Sequence, residues 1–135
     1  MFMRGMLRRM LIRLLTEGTV QRVAVDGHDV EADDAVDRPQ DYGFAGRPGA
    51  GSFAWVLEVD GYRIALRAEA AQGRPSLADW DVAMWHKEGH AIYLKKGRVI
   101  ELDCDHLRVN ATQSATFTTP QLTCTGPVKA PNIPA

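Results

Sequence analysis

Residues 107–125 read LRVNATQSATFTTPQLTCT, a strip rich in Thr, Ser and Gln with a single charge at Arg108. Downstream of Arg108 the chain carries one more charged side chain, Lys129. Threonine-rich, weakly charged sequence favours extended β structure. One copy of such a strip cannot bury enough apolar surface to offset the entropy of ordering it. Alone it would stay disordered or aggregate. Closing it against copies of itself leaves no open sheet edge. Intertwined strands from several chains do this, with alternate residues pointing to a shared axis.

Working upstream, the same region continues as brief apolar pairs separated by turn residues such as Lys96-Gly97 and Asn110: Ile92 with Leu94, Ile100 with Leu102, Leu107 with Val109, Ala115 with Phe117, Leu122 with Cys124. The expected shared core is Ile100, Leu102, Cys104, Leu107, Val109, Phe117, Leu122 and Cys124, with Arg98, Glu101, Arg108 and Thr118 outward. Working downstream, Pro127, Pro131 and Pro134 lack the N–H that a ladder needs. The β structure should therefore stop near Thr125 or Gly126 and continue as extended, polyproline-like chain.

A bridge from Ala70 to Trp85 is broken by Gly73 and Pro75, with Trp80 and Trp85 as its expected anchors. Before it, Phe53–Val59 and Tyr62–Arg67 alternate in character around Asp60-Gly61, a two-residue hairpin signal. Thr19–Val25 reads as a further short strand, and Arg38–Gly51 as a Gly/Pro-rich excursion. Short strands joined by turn-rich connections predict a small barrel over residues 18–75. Residues 26–41 hold seven acids against Arg38 alone. They read as a solvated acidic loop, or, with the basic N-terminus, as opposite patches that help dock subunits or partners.

Residues 1–15, MFMRGMLRRMLIRLL, carry four arginines and no acid. The apolar run is too interrupted for a secretory signal. Met3, Leu7, Met10 and Leu14 fall at a/d spacing, which predicts an amphipathic helix over 1–17 that stops at Glu17-Gly18. Met-rich apolar faces suit adaptable interfaces.

The formal charge of −1 and pI near 6.4 do not suit a nucleic-acid binder. Cys104 and Cys124 are too few for a disulfide scaffold and read as free thiols. No apolar run reaches about 18 residues, so no helical membrane span is expected. His86 and His90 stand four apart, but Gly89 and the following strand argue against a helix that would pair them on a metal. In Asp103-Cys104-Asp105-His106, a strand would send neighbouring side chains to opposite faces. Copies of Cys104 brought together on one axis would form an apolar layer or a soft-metal site. Ser52, Ser76 and Ser114 lack a nucleophile-elbow setting. No cofactor and no enzymatic activity are expected.

The run Val36-Asp37-Arg38-Pro39-Gln40-Asp41-Tyr42-Gly43-Phe44, then Arg47-Pro48-Gly49-Ala50, resembles the ERPQPYGF…PxPGAE signature of phage-Mu-type baseplate spike proteins, within the wider baseplate assembly protein V group. The strand Phe53–Val59, the return DGYRIALRAE, the step Trp80–Trp85 and the segment GHAIYLKKGRVIEL follow in that family's order. The resemblance covers residues 18 to 110. Its motif residues here are Arg38, Pro39, Tyr42, Gly43, Phe44, Pro48 and Gly49. Departures are the hairpin Asp60-Gly61-Tyr62, where the family often has Gly-Asn-Arg or Gly-Asp-Arg, and a reduced Gly73-Arg74-Pro75 step. No histidine lies beyond His106 to supply the His-x-His metal pair seen at many relatives' tips.

The resemblance implies a homotrimer whose OB-like barrels lead into a tapering triple-stranded β-helix over residues 76–135. It implies a virion component, assembled in the bacterial host cytoplasm, at the centre of a contractile-tail baseplate. There it would be driven through a target outer membrane. Met3, Leu7, Met10 and Leu14 would dock on the baseplate hub, and a separate tip protein would cap the far end. The rival readings are a monomeric OB-type binding domain with a disordered tail, and a small hydrolase using residues 103–106.

Overall fold

The computed structural model describes residues 5–27 and 30–132 and is mainly β, with no helix among them. Eight strands are formed: β1 (Gly5–Thr16), β2 (Gln21–Gly27), β3 (Val30–Arg38), β4 (Phe53–Val59), β5 (Tyr62–Glu69), β6 (Val82–Trp85), β7 (Ala91–Lys95) and β8 (Val99–Asp103). The first five close into a barrel in the order β1-β2-β3-β5-β4. β1 is its seam, antiparallel to β2 on one side and β4 on the other, while β3 meets β5 in parallel at Asp37 and Ile64. The small barrel is therefore present, but it begins at Gly5 and not at residue 18.

The expected N-terminal helix is corrected to a strand. Leu7, Arg9 and Leu11 pair with Leu57, Trp55 and Phe53 of β4, and Leu15 pairs with Val23 of β2. Met10 and Ile12 point inward with the two-residue period of a strand, and a register shift between Ile12 and Leu14 passes the inward role to Leu15. Apolar residues at a/d spacing satisfy a helix as well. Two long neighbours that supply ladder partners on both edges decide for the strand. Met10 is core, at 1% exposure, whereas Leu7 and Leu14 are 56% and 61% exposed. Met3 lies outside the described residues.

Small and β-branched side chains fill the barrel: Met10, Ile12, Leu15, Val23, Val25, Val36, Ala54, Val56 and Ala65. Each larger member contributes about 1.5–3 kcal/mol by leaving water. The acidic run is not a loop either, since most of it forms β2 and β3. Three of its acids pair with arginines on other strands: Arg13 of β1 reaches Asp26 on β2 and Asp34 on β3, both at 2.8 Å, and Arg22 of β2 reaches Asp37 on β3 at 3.1 Å. These pairs are largely exposed and screened by water, so they add little to stability. At the β4–β5 turn, Asp60 and Gly61 both have positive φ, 49° and 84°, as a two-residue primed turn requires.

Strands β6, β7 and β8 form a separate antiparallel sheet in that order. The described residues from His106 onward form a unit of their own. From Cys104 to Pro131 no residue is in a strand or helix, and every one is exposed. Among the described residues, one chain by itself thus forms no β-helix.

Replacing Met10 with Ala should cost about 2–5 kcal/mol in chemical denaturation, while Leu14→Ala should cost less than about 1 kcal/mol. Equal losses would contradict the strand, since a helix would place both residues on one face.

Candidate assembly surfaces

Two features of the fold have chemistry that the barrel core does not use. The first is the loop between β3 and β4, which holds the motif residues. Arg38 ends β3 with its side chain folded inward, at 8% exposure. Its Nε donates to Gln21 Oε1 at 2.6 Å and its Nη2 to the Gly46 carbonyl at 2.5 Å. Gln21 Nε2 also donates to that carbonyl at 3.2 Å and to Glu17 at 2.7 Å, and Gln40 exchanges hydrogen bonds with both backbone groups of Gly46. Burial pushes the Arg38 pKa down, and the nearby Glu17 carboxylate opposes that shift.

Gly46 is thereby held by three side chains, which fixes the loop's path. On the outer side the chain turns at Asp41–Phe44, where Phe44 N donates to Asp41 O and Gly43 takes φ 85°. That turn leaves Tyr42 and Phe44 exposed. Pro48 is half-buried, and Gly49 O accepts from Ser52 N. The loop closes on β1 through Gly51 N to Ile12 O and Ile12 N to Ser52 O. The motif residues Arg38, Pro39, Tyr42, Gly43, Phe44, Pro48 and Gly49 therefore share one loop, with Arg38 as its internal anchor.

The second feature is one face of the β6–β8 sheet. Cross-strand register places Val82, Leu94 and Ile100 in one row and Met84, Ile92 and Leu102 in the next. All six are 41–70% exposed. The opposite face holds Ala83, Tyr93 and Glu101, then Trp85, Ala91 and Asp103. Ile100 and Leu102 of the expected shared core thus lie on a continuous apolar face. Leu107, Val109, Phe117 and Leu122 are likewise exposed, and Cys104 and Cys124 are exposed free thiols. Sequence reading did not find the contribution of β6, because Val82 and Met84 align with the later strands only through the antiparallel register.

The candidate ligand groups sit on the surface. His86 and His90 stack at 4.6 Å across the β6–β7 turn, with a Glu88 oxygen within 4.8 Å of ring nitrogens of both. His86 Nδ1 accepts the Glu88 amide at 3.0 Å. Asp103, Cys104, Asp105 and His106 are all exposed.

Residues 8–67 match the family model described as Bacteriophage Mu Gp45, N-terminal. The chain is 37% identical over 132 residues to the baseplate puncturing device gp45 of Escherichia phage Mu, across 93% of this chain and 66% of that protein. The chain belongs to the phage Mu Gp45 family. It spans just under two thirds of the length of that relative. No solved structure matches it. The family match starts within β1 and ends within β5, so this Gp45-family signature coincides with the barrel and its motif loop.

Arg38→Ala should destabilise the barrel by about 1–3 kcal/mol, because the buried Gln21 oxygen loses its donor. Faster protease cleavage between residues 40 and 50 should accompany it. Unchanged denaturation and cleavage would show that the Gly46 clamp does not hold the loop.

Proposed function

We propose that this chain is the central spike of a contractile phage-type tail baseplate and works as a homotrimer. The observation that carries the reading is the apolar face of β6–β8, continued by a stretch whose residues are all exposed in one chain. The single chain exposes 12042 Å². A compact folded protein of 14.9 kDa exposes roughly 7,000 Å² by the usual scaling. The excess, about 5,000 Å², is of the size that obligate assemblies bury. Membership in a family whose phage Mu relative is called a baseplate puncturing device supports the location and the task.

In this reading three copies turn the Val82/Leu94/Ile100 and Met84/Ile92/Leu102 rows inward, and residues 104–125 wind into a triple-stranded β-helix. Such a closed structure pairs its backbone groups between chains and leaves no edge to fray under axial load. On sheath contraction the spike is driven through the outer membrane of the target cell. The task is mechanical and uses no catalytic group. The barrel end docks on a hub protein, with Leu7 and Leu14 as the exposed apolar side chains from the original docking set. Pro127 and Pro131 interrupt further pairing, and a separate tip partner is placed beyond them. Assembly into tails takes place in the bacterial host before release.

The test uses purified tail particles. Antibody against the chain should label the distal baseplate end and no other part of the tail. Absence of the chain from tails, or label along the sheath, would contradict the role. Phe117→Asp places three carboxylates near one axis and should lower assembly stability by at least about 3 kcal/mol per chain. An assembly that melts like the parent would refute the inward position of Phe117.

A further inference from the structure

Trp80 occupies a position in the turn before β6 that its side chain fits poorly. Asp81 N donates to Ala78 O at 3.2 Å, which closes a four-residue turn with Trp80 third. Trp80 has φ 72°, the left-handed region that this turn position normally reserves for Gly or Asn. Positive φ at a bulky residue is a strained outlier, and strain persists where surrounding contacts impose it. Yet the Trp80 side chain is 99% exposed, and among the described residues no aromatic or cationic partner meets it. The expectation that Trp80 anchors the bridge within its own chain is therefore not met.

The turn is nonetheless well placed. Asp81 Oδ1 accepts the Lys96 amide at 3.3 Å, tying the turn to the β7–β8 connection. That tie holds Trp80 at the end of the sheet where the Val82, Leu94 and Ile100 row begins. A large, fully exposed indole thus sits two residues before Val82, the first member of an uncovered apolar row, on a strained backbone.

We infer that Trp80 is an intersubunit anchor: its indole seats on the Val82/Leu94/Ile100 row of a neighbouring copy and caps the shared apolar core. The partner is a second copy of this chain, because the row beside Trp80 belongs to the face that the homotrimer covers. The inference rests on that trimer reading. Tryptophan is well suited to the task, since it brings large apolar area with few rotatable bonds.

Trp80→Gly separates the possibilities by sign. Gly relieves the positive φ, so a Trp80 with no external contact would give a variant at least as heat-stable as the parent. An anchor gives the opposite: the full-length assembly should melt several degrees lower and exchange subunits faster. Trp80→Phe should recover part of the loss. The parent-minus-Trp80→Phe emission difference should be blue-shifted from that of the denatured protein. A Trp80→Gly melt at or above the parent's, or a difference spectrum of water-exposed indole, overturns the inference while a three-chain parent leaves the trimer reading standing. A parent that sediments as a single chain overturns both.

Discussion

Among the described residues, the backbone from Cys104 to Thr125 has no ladder partner within its own chain, and the polypeptide is organised around that shortage. Buried amide and carbonyl groups must be paired, and apolar side chains must leave water, before a chain holds one structure. The barrel meets both demands internally. β1 is hydrogen-bonded on both edges, the parallel bridge at Asp37 and Ile64 closes the circuit, and the core is filled by Val, Ala, Ile, Leu and Met. Past β5 the demands are met only in part: β6–β8 pair their backbones with one another, but their apolar side chains stay in water. The β6–β8 sheet has an uncovered apolar face, and the stretch beyond it has no ladder at all.

This division assigns different work to the two parts. The barrel folds within one chain and carries the family signature, including the Arg38 clamp that sets the path of the motif loop. The sheet and the strip after it gain their order from other copies in the proposed trimer. The proposed spike would combine a compact base with a shaft whose strength comes from pairing between chains.

The hairpin around Asp60-Gly61 was legible because both signals are local: alternation on each strand and a turn pair that accepts positive φ. The barrel was legible as a class from its short strands, and the family from the residues around Pro39 and Phe44. The N-terminal strand was not legible. MFMRGMLRRMLIRLL satisfies a helical period and a strand period together, and the register shift at Ile12–Leu14 hides the alternation. The partner that decides, β4, lies far along the chain. The acidic run was misread as a loop for a related reason, since Asp26, Asp34 and Asp37 find their arginines on other strands. Tyr42 and Phe44 in the motif loop were named as residues, but their outward direction depends on the Gly46 clamp. The alignment of Val82 and Met84 with Ile100 and Leu102 became visible only with the register of three strands.

Backbone hydrogen exchange in the assembled full-length protein tests the central claim most directly. Among the described residues, no backbone amide from Leu107 to Thr125 donates to a backbone carbonyl of the same chain. If other chains supply the ladder, these amides should exchange orders of magnitude more slowly than in a free peptide of the same sequence, with protection comparable to that of β1 and β4. Exchange across 107–125 at the free-peptide rate, with the barrel strands still protected, would contradict the account.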